Sequence, residues 1–84
     1  MEQGIKLALF NQLLALENEQ TVAQDRLAAY RNGGKAISNV ELLHTLEREN
    51  AVLFGKVESV YQTFVTLGIN KEYIEWSYEQ SKEA

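Results

Sequence analysis

The sequence predicts an all-α protein: a long antiparallel helical hairpin plus a short C-terminal helix, in a single domain over residues 1–84 that assembles as a dimeric helical bundle. Three observations indicate this class. The chain has no proline and only five glycines, so little interrupts a helix. Apolar residues recur at spacings of three and four over two long stretches. A Gly-Gly pair separates these stretches, and so short a connection favours antiparallel packing.

The first helix is predicted over residues 4–31. Its dense apolar start includes polar residues and is too short to cross a bilayer, so we interpret it as part of a globular helix. The helix should end at the loop 32–38, where Gly33 and Gly34 suit the left-handed conformation that closes a helix. Its apolar face consists of Ile5, Leu9, Leu13, Leu16, Ala23, Leu27 and Tyr30.

The second helix is predicted over residues 39–67 and has both ends marked. Ser38 and Glu41 form an S-x-x-E capping box, in which each side chain satisfies a backbone donor of the first turn. Gly68 can close a Schellman motif, and the isoleucine that follows it is expected to contact Phe64. The apolar seam consists of Leu43, Leu46, Asn50, Leu53, Val57, Val60, Phe64 and Leu67.

The two seams also predict a register for the hairpin. If the chain folds about residue 35, residues equally distant from it meet, which places Ile5 against Phe64 and Gln20 against Asn50. Two amides in one layer can hydrogen-bond each other, and a shifted register would bury each against leucine at a cost of about 1 to 3 kcal/mol. We therefore predict that Gln20 and Asn50 pair and set the register. The alternative is a parallel homodimer in which Asn50 meets its own copy.

A short third helix is predicted over residues 71–81, where aromatic residues alternate with glutamates. About twelve residues do not hold a helix together in isolation, so this segment must dock on something.

Several apolar residues are left over once the two seams are paired. Leu7, Phe10 and Leu14 form a second apolar face on the first helix, which the third helix could cover by folding back. Alternatively, another chain covers it, and we favour this because so short a helix cannot cover a hairpin about 45 Å long. A second copy is the commoner symmetric solution. The predicted partner or dimer interface is Leu7, Phe10, Leu14, Phe54, Tyr61, Tyr73 and Trp76.

Composition excludes some functions and disfavours others. The chain has no cysteine, which excludes thiol chemistry and cysteine-type zinc sites and suits a reducing, cytoplasmic location. Twelve acidic residues outnumber eight basic ones, so we expect no nucleic-acid partner. We expect no membrane partner either, because the first helix lacks the basic flanks of an amphipathic anchor.

Two patterns with potential chemistry have simpler interpretations. Glu41 and His44 have the E-x-x-H spacing of di-iron carboxylate sites, but they point away from the seam and the chain has no second E-x-x-H. The Gly-Gly loop between Arg31 and Lys35 could cradle a phosphate, but it matches no P-loop and a helix-ending turn needs the same residues. We assign no catalytic, metal or cofactor-binding residue and expect no cofactor and no enzyme activity.

The layout of helix, Gly-Gly turn and heptad helix over residues 5–67 resembles the small helical-hairpin co-chaperones of type III secretion needle subunits. The local feature that carries this resemblance is the stretch 31–35, and no functional residue carries over from it. The resemblance implies a protein that masks an aggregation-prone helix of a partner. A small phage-type inhibitor, with acidic residues imitating a nucleic acid, is a further alternative.

The expected function is therefore that of a non-enzymatic protein–protein interaction module. It would act as a small adaptor or regulator through an apolar helix face, with a second copy or another protein as partner.

Overall fold

The computed structural model describes residues 2–32 and 40–83, which form three helices. Helix α1 spans Gln3–Arg31, α2 spans Val40–Leu67 and α3 spans Asn70–Glu83. No strand occurs within these two ranges. The all-α class and the packing of the first helix against the second are confirmed, whereas the predictions for the Gly-Gly loop and the Ser38 cap fall outside the described residues.

Helices α1 and α2 run antiparallel. Near the start of α1, the ring of Phe10 lies with its centroid 5.6 Å from that of Phe64. Near the end of α1, an Arg31 guanidinium nitrogen lies 2.9 Å from a carboxylate oxygen of Glu47. Residue numbers therefore rise along one helix as they fall along the other, which is the hairpin that the two seams predict.

The register of the hairpin differs from the predicted one by about one helical turn. The prediction paired Phe64 with Ile5, but Phe64 packs on Phe10 and Ile5 is 53% exposed. A fold about residue 35 would bring position 10 opposite position 60, so the observed partner lies four residues further along α2. The reason is aromatic packing, because two tilted phenyl rings bury more apolar area than an isoleucine against one ring.

The main core lies at the end of the hairpin where α1 begins and α2 ends. Phe64 at its centre is completely buried, and residues from all three helices surround it. The buried members of this core cluster are Phe10, Leu13, Phe64, Ile69 and Tyr73. At the far end, which we define as residues 18–31 of α1 and 40–56 of α2, only Ala23 and Leu46 are buried among the described residues.

A Schellman motif ends α2 and turns the chain back towards the hairpin. The Ile69 N–H donates to the Phe64 carbonyl over 3.0 Å, and the Gly68 N–H donates to the Val65 carbonyl over 3.1 Å. Gly68 has φ of 74°, a conformation that glycine adopts without strain. The predicted motif and its apolar contact are confirmed, since Ile69 lies in the core cluster with Phe64. As a result α3 starts directly above the core.

The molecule is more extended than a compact protein of its size. Its Cα radius of gyration is 16.0 Å, and its extents are 51 × 26 × 17 Å. A compact domain of 84 residues would have a radius of gyration of about 12 Å. Its accessible surface is 6042 Å², against about 5,100 Å² for a typical monomer of this mass. Roughly 900 Å² of surface is therefore in excess of what a compact fold exposes.

Candidate functional site

Helix α3 covers part of the apolar face that the paired seams leave over. The Phe10 ring lies 5.4 Å from the Tyr73 ring and 5.5 Å from the Trp76 ring, measured between centroids. Phe10 is 2% exposed and Tyr73 is 3% exposed. Both were predicted as interface residues, and in this arrangement neither ring is accessible to another chain.

The other predicted interface residues differ in their accessibility. Leu7, Tyr61 and Trp76 are partly buried and pack against the core cluster, and Leu14 is half-buried. Phe54 is 61% exposed. Of the seven predicted residues, Phe54 is thus the one that the fold leaves most available.

Two polar contacts hold α3 on α1. The Tyr73 hydroxyl donates a hydrogen bond to the Glu17 carboxylate, and the Lys6 ammonium lies 2.7 Å from a Glu72 carboxylate oxygen. Burial raises the pKa of the Tyr73 phenol well above its ordinary value, and the hydrogen bond to Glu17 and the negative charge of Glu17 raise it further. These contacts explain why a helix of 14 residues docks in a defined position.

A groove lies between α1 and α2 at the far end of the hairpin. It has a volume of about 690 Å³. Val22 of α1 and Val52 of α2 line it and are 56% and 51% exposed. Beside them Ala23 and Leu53 complete an apolar strip, and the other residues that line the groove are polar or charged.

A second groove of about 600 Å³ continues the first towards the core end, and the two share Val52 and Lys56. Gly55 lines this second groove, and a Cβ atom there would meet nothing within 4 Å. We call the surface formed by both grooves the groove face. Because the two grooves are continuous, the groove face extends along much of the hairpin.

The groove face and α3 lie on opposite sides of the hairpin. On α1, Glu17 contacts α3, whereas Glu19 lines the groove. Residues two positions apart on an α-helix, such as these, point in directions about 200° apart. Helix α3 therefore leaves the groove face uncovered.

The rim of the groove carries charges of both signs. A guanidinium nitrogen of Arg26 lies 3.7 Å from a carboxylate oxygen of Glu49, which is an exposed ion pair across the hairpin. Glu19 lies seven residues before Arg26 on α1, and Lys56 lies seven residues after Glu49 on α2. Because antiparallel helices advance equally, these four residues form two levels of opposite charge.

Asn50 has a different partner from the one that the sequence predicts. Its amide nitrogen donates to the carbonyl of Ala23 over 3.1 Å and to the carbonyl of Leu46 over 3.0 Å. Both amide hydrogens are thus used on backbone carbonyls and not on Gln20, which is half-buried on α1. The shift of about one turn in register is the physical reason, because it brings Asn50 level with Ala23.

Sequence reasoning did not single out Val22 and Val52. Each is next to a seam residue, Ala23 or Leu53, but belongs to neither seam. Isolated exposed valines are common, so the pattern alone gave no reason to select them. Their importance follows from the groove that they share.

The remaining candidates for metal binding are Glu41 and His44. Both are exposed on α2. Among residues 2–32 and 40–83, no three His, Cys, Asp or Glu side chains are grouped to hold a metal ion. Over the same ranges, no helix combines the length and the apolar content that a membrane span requires.

No family model, no curated protein and no solved structure matches this chain.

Proposed function

We propose that this chain is a small, non-enzymatic adaptor or regulator that acts by protein–protein contact through its groove face. The observation that carries the proposal is an apolar groove of about 690 Å³ on the side of the hairpin away from α3. Its two exposed valines, Val22 and Val52, would be buried against a partner, which is favourable.

The groove suits a protein partner better than a small substrate. It is a shallow channel between two helices, and its centre consists of valine, alanine and leucine side chains with charges at the rim. An apolar centre with a charged rim is the usual arrangement of protein interfaces. Tyr73, whose pKa is raised, lies in the core cluster and not in the groove.

The proposal extends to location and partner class. A chain without cysteine suits a reducing compartment such as the cytoplasm. A net charge of −4 disfavours nucleic acids and anionic membranes as partners.

Site-specific photo-crosslinking in the source cells tests the proposal. A benzophenone side chain at position 52 lies in the groove, whereas one at position 58 lies on an exposed site of the same helix outside it. We expect protein adducts from position 52 and few or none from position 58. Equal yields from the two positions, or no adduct from position 52, would contradict the proposed function.

A further inference from the structure

We propose that the groove face closes on the groove face of a second copy of this chain. The two copies then form a four-helix bundle in which α1 of each copy packs along α2 of the other. This inference rests on the proposed function, because it names the occupant of the same groove. Four observations support a second copy: the excess surface, the length of the face, the pattern of charge at the rim and the small net charge of the groove.

The excess surface matches what one partner contributes to a stable dimer. The chain exposes 6042 Å², roughly 900 Å² more than a compact monomer of this mass. A standard interface buries about 800 Å² on each partner. Closing the groove face would thus bring the surface of each chain to an ordinary value.

The groove face is long enough to provide that area. On α1, residues at intervals of seven lie on this side of the helix, from Arg26 and Glu19 through Gln12 to Ile5, which is 53% exposed. The 29 residues of α1 measure about 43 Å, and two adjacent helices are about 20 Å wide. Full overlap of two such faces buries on the order of 800 Å² per chain.

The charges at the rim of one copy complement those at the rim of a second copy. At one level α1 carries Arg26 and α2 carries Glu49; seven residues on, α1 carries Glu19 and α2 carries Lys56. A two-fold axis along the groove places α1 of one copy over α2 of the other at the same level. Arg26 then faces Glu49 of the second copy, and Glu19 faces Lys56 of the second copy, while the two valines of the groove meet between them.

The larger groove also carries a net charge smaller in magnitude than that of the whole chain. The chain as a whole has a net charge of −4, whereas the charged residues that line the larger groove sum to +1. Those residues are Glu19, Arg26, Arg48, Glu49 and Lys56. Association through this face avoids the acidic remainder of the surface.

A two-fold axis across the helices is the less favourable arrangement. It would place α1 on α1 and α2 on α2, and if it matched the same charges it would leave the first part of α1 uncovered. Residues 14–31 of α1 and 40–65 of α2 would then be covered, which is about 27 Å and 39 Å of helix and on the order of 650 Å² per chain. The axis along the groove uses the whole face and is the arrangement that we propose.

Light scattering over a concentration series tests the inference. We expect the wild-type mass to rise from 9.6 kDa to twice that value, about 19 kDa. Val52→Glu should remain at 9.6 kDa, because each copy would bury one negative charge in the closed groove. Ile74→Glu is the matched control, since Ile74 is 52% exposed on α3, and this variant should dimerise like the wild type. Circular dichroism checks that both variants remain helical.

Disulfide trapping tests the orientation, and the absence of native cysteine makes it unambiguous. Glu19→Cys chains mixed with Lys56→Cys chains should form a covalent dimer on oxidation, and neither variant should do so alone. A covalent dimer from Glu19→Cys mixed with Arg26→Cys, and not from the first mixture, would overturn the proposed arrangement.

A failure of this inference is distinguishable from a failure of the proposed function. A wild-type mass of 9.6 kDa at every concentration would overturn the second copy as occupant. If position 52 still gave photo-adducts with another protein, the proposed function would stand without the homodimer. If it gave none, both would be wrong.

Discussion

Tyr73 shows how one residue joins packing to electrostatics. Its ring packs against Phe10 and Phe64 with centroids 5.4 Å away in each case, and its hydroxyl donates to the Glu17 carboxylate. Burial and the neighbouring carboxylate both disfavour the phenolate, so the pKa of Tyr73 is raised above its ordinary value. The side chain therefore stabilises the fold as long as it keeps its proton.

Tyr73→Phe tests this role at two pH ranges. At neutral pH the variant should lose about 1 kcal/mol of unfolding free energy, because it keeps the ring but loses the hydrogen bond. Above about pH 10 the unfolded chain releases the phenolic proton more readily than the folded chain, so the wild type should lose stability as pH rises. The extra slope should be at most about 1.4 kcal/mol per pH unit and absent in the variant. Parallel pH profiles in urea unfolding would contradict this assignment.

The Asn50 amide is a second residue whose role is testable. Since it donates to backbone carbonyls and not to Gln20, Asn50→Ala and Gln20→Ala should act independently. We expect the double variant to equal the sum of the single variants within about 0.5 kcal/mol. A coupling energy above about 1 kcal/mol in a double-mutant cycle would mean that the two side chains interact.

For these residues, the sequence predicted the place of a polar side chain in the seam better than its hydrogen-bond partner. It indicated that Asn50 was a polar residue in an apolar seam, and the structure places it there, half-buried between α1 and α2. The partner could not be predicted, because a shift of one turn presents a similar apolar seam to the opposite helix. Which amide or carbonyl meets Asn50 then depends on the summed packing of all the other layers.

At the scale of elements, α3 is the helix whose position determines the core. It continues from a turn fixed by Gly68 and brings Tyr73 and Trp76 onto the start of α1. Its 14 residues measure about 21 Å, so it closes only one end of a molecule that is 51 Å long. The fold therefore has a well-packed end and a far end with few buried side chains.

The same substitution at two positions of α2 should reveal this difference between the ends. Phe64→Ala should lower the unfolding free energy by about 3 to 5 kcal/mol, because Phe64 is completely buried and its removal leaves a cavity. Phe54→Ala should change it by no more than about 0.5 kcal/mol, because Phe54 is 61% exposed. Urea unfolding followed by circular dichroism measures both, and equal losses would contradict the described core.

At the scale of the whole molecule, stability and assembly should be linked. If two copies close their groove faces, the folded dimer gains stability as the chain concentration rises. A tenfold increase in concentration should raise the midpoint of thermal unfolding by about 3 to 6 °C in the wild type. Val52→Glu should show no such dependence. A midpoint independent of concentration in the wild type would contradict the dimer.

The sequence by itself determined the helices, the closing turn at Gly68 and the residues that share each helix face. These features follow from local physics, because periodicity and capping act over a few neighbouring residues. The tertiary structure decided the register, the burial of Phe10 under α3 and the groove that joins Val22 to Val52. These features depend on the packing energies of residues far apart in the chain. Local pattern alone does not decide them, because several pairings of similar apolar faces satisfy the same pattern.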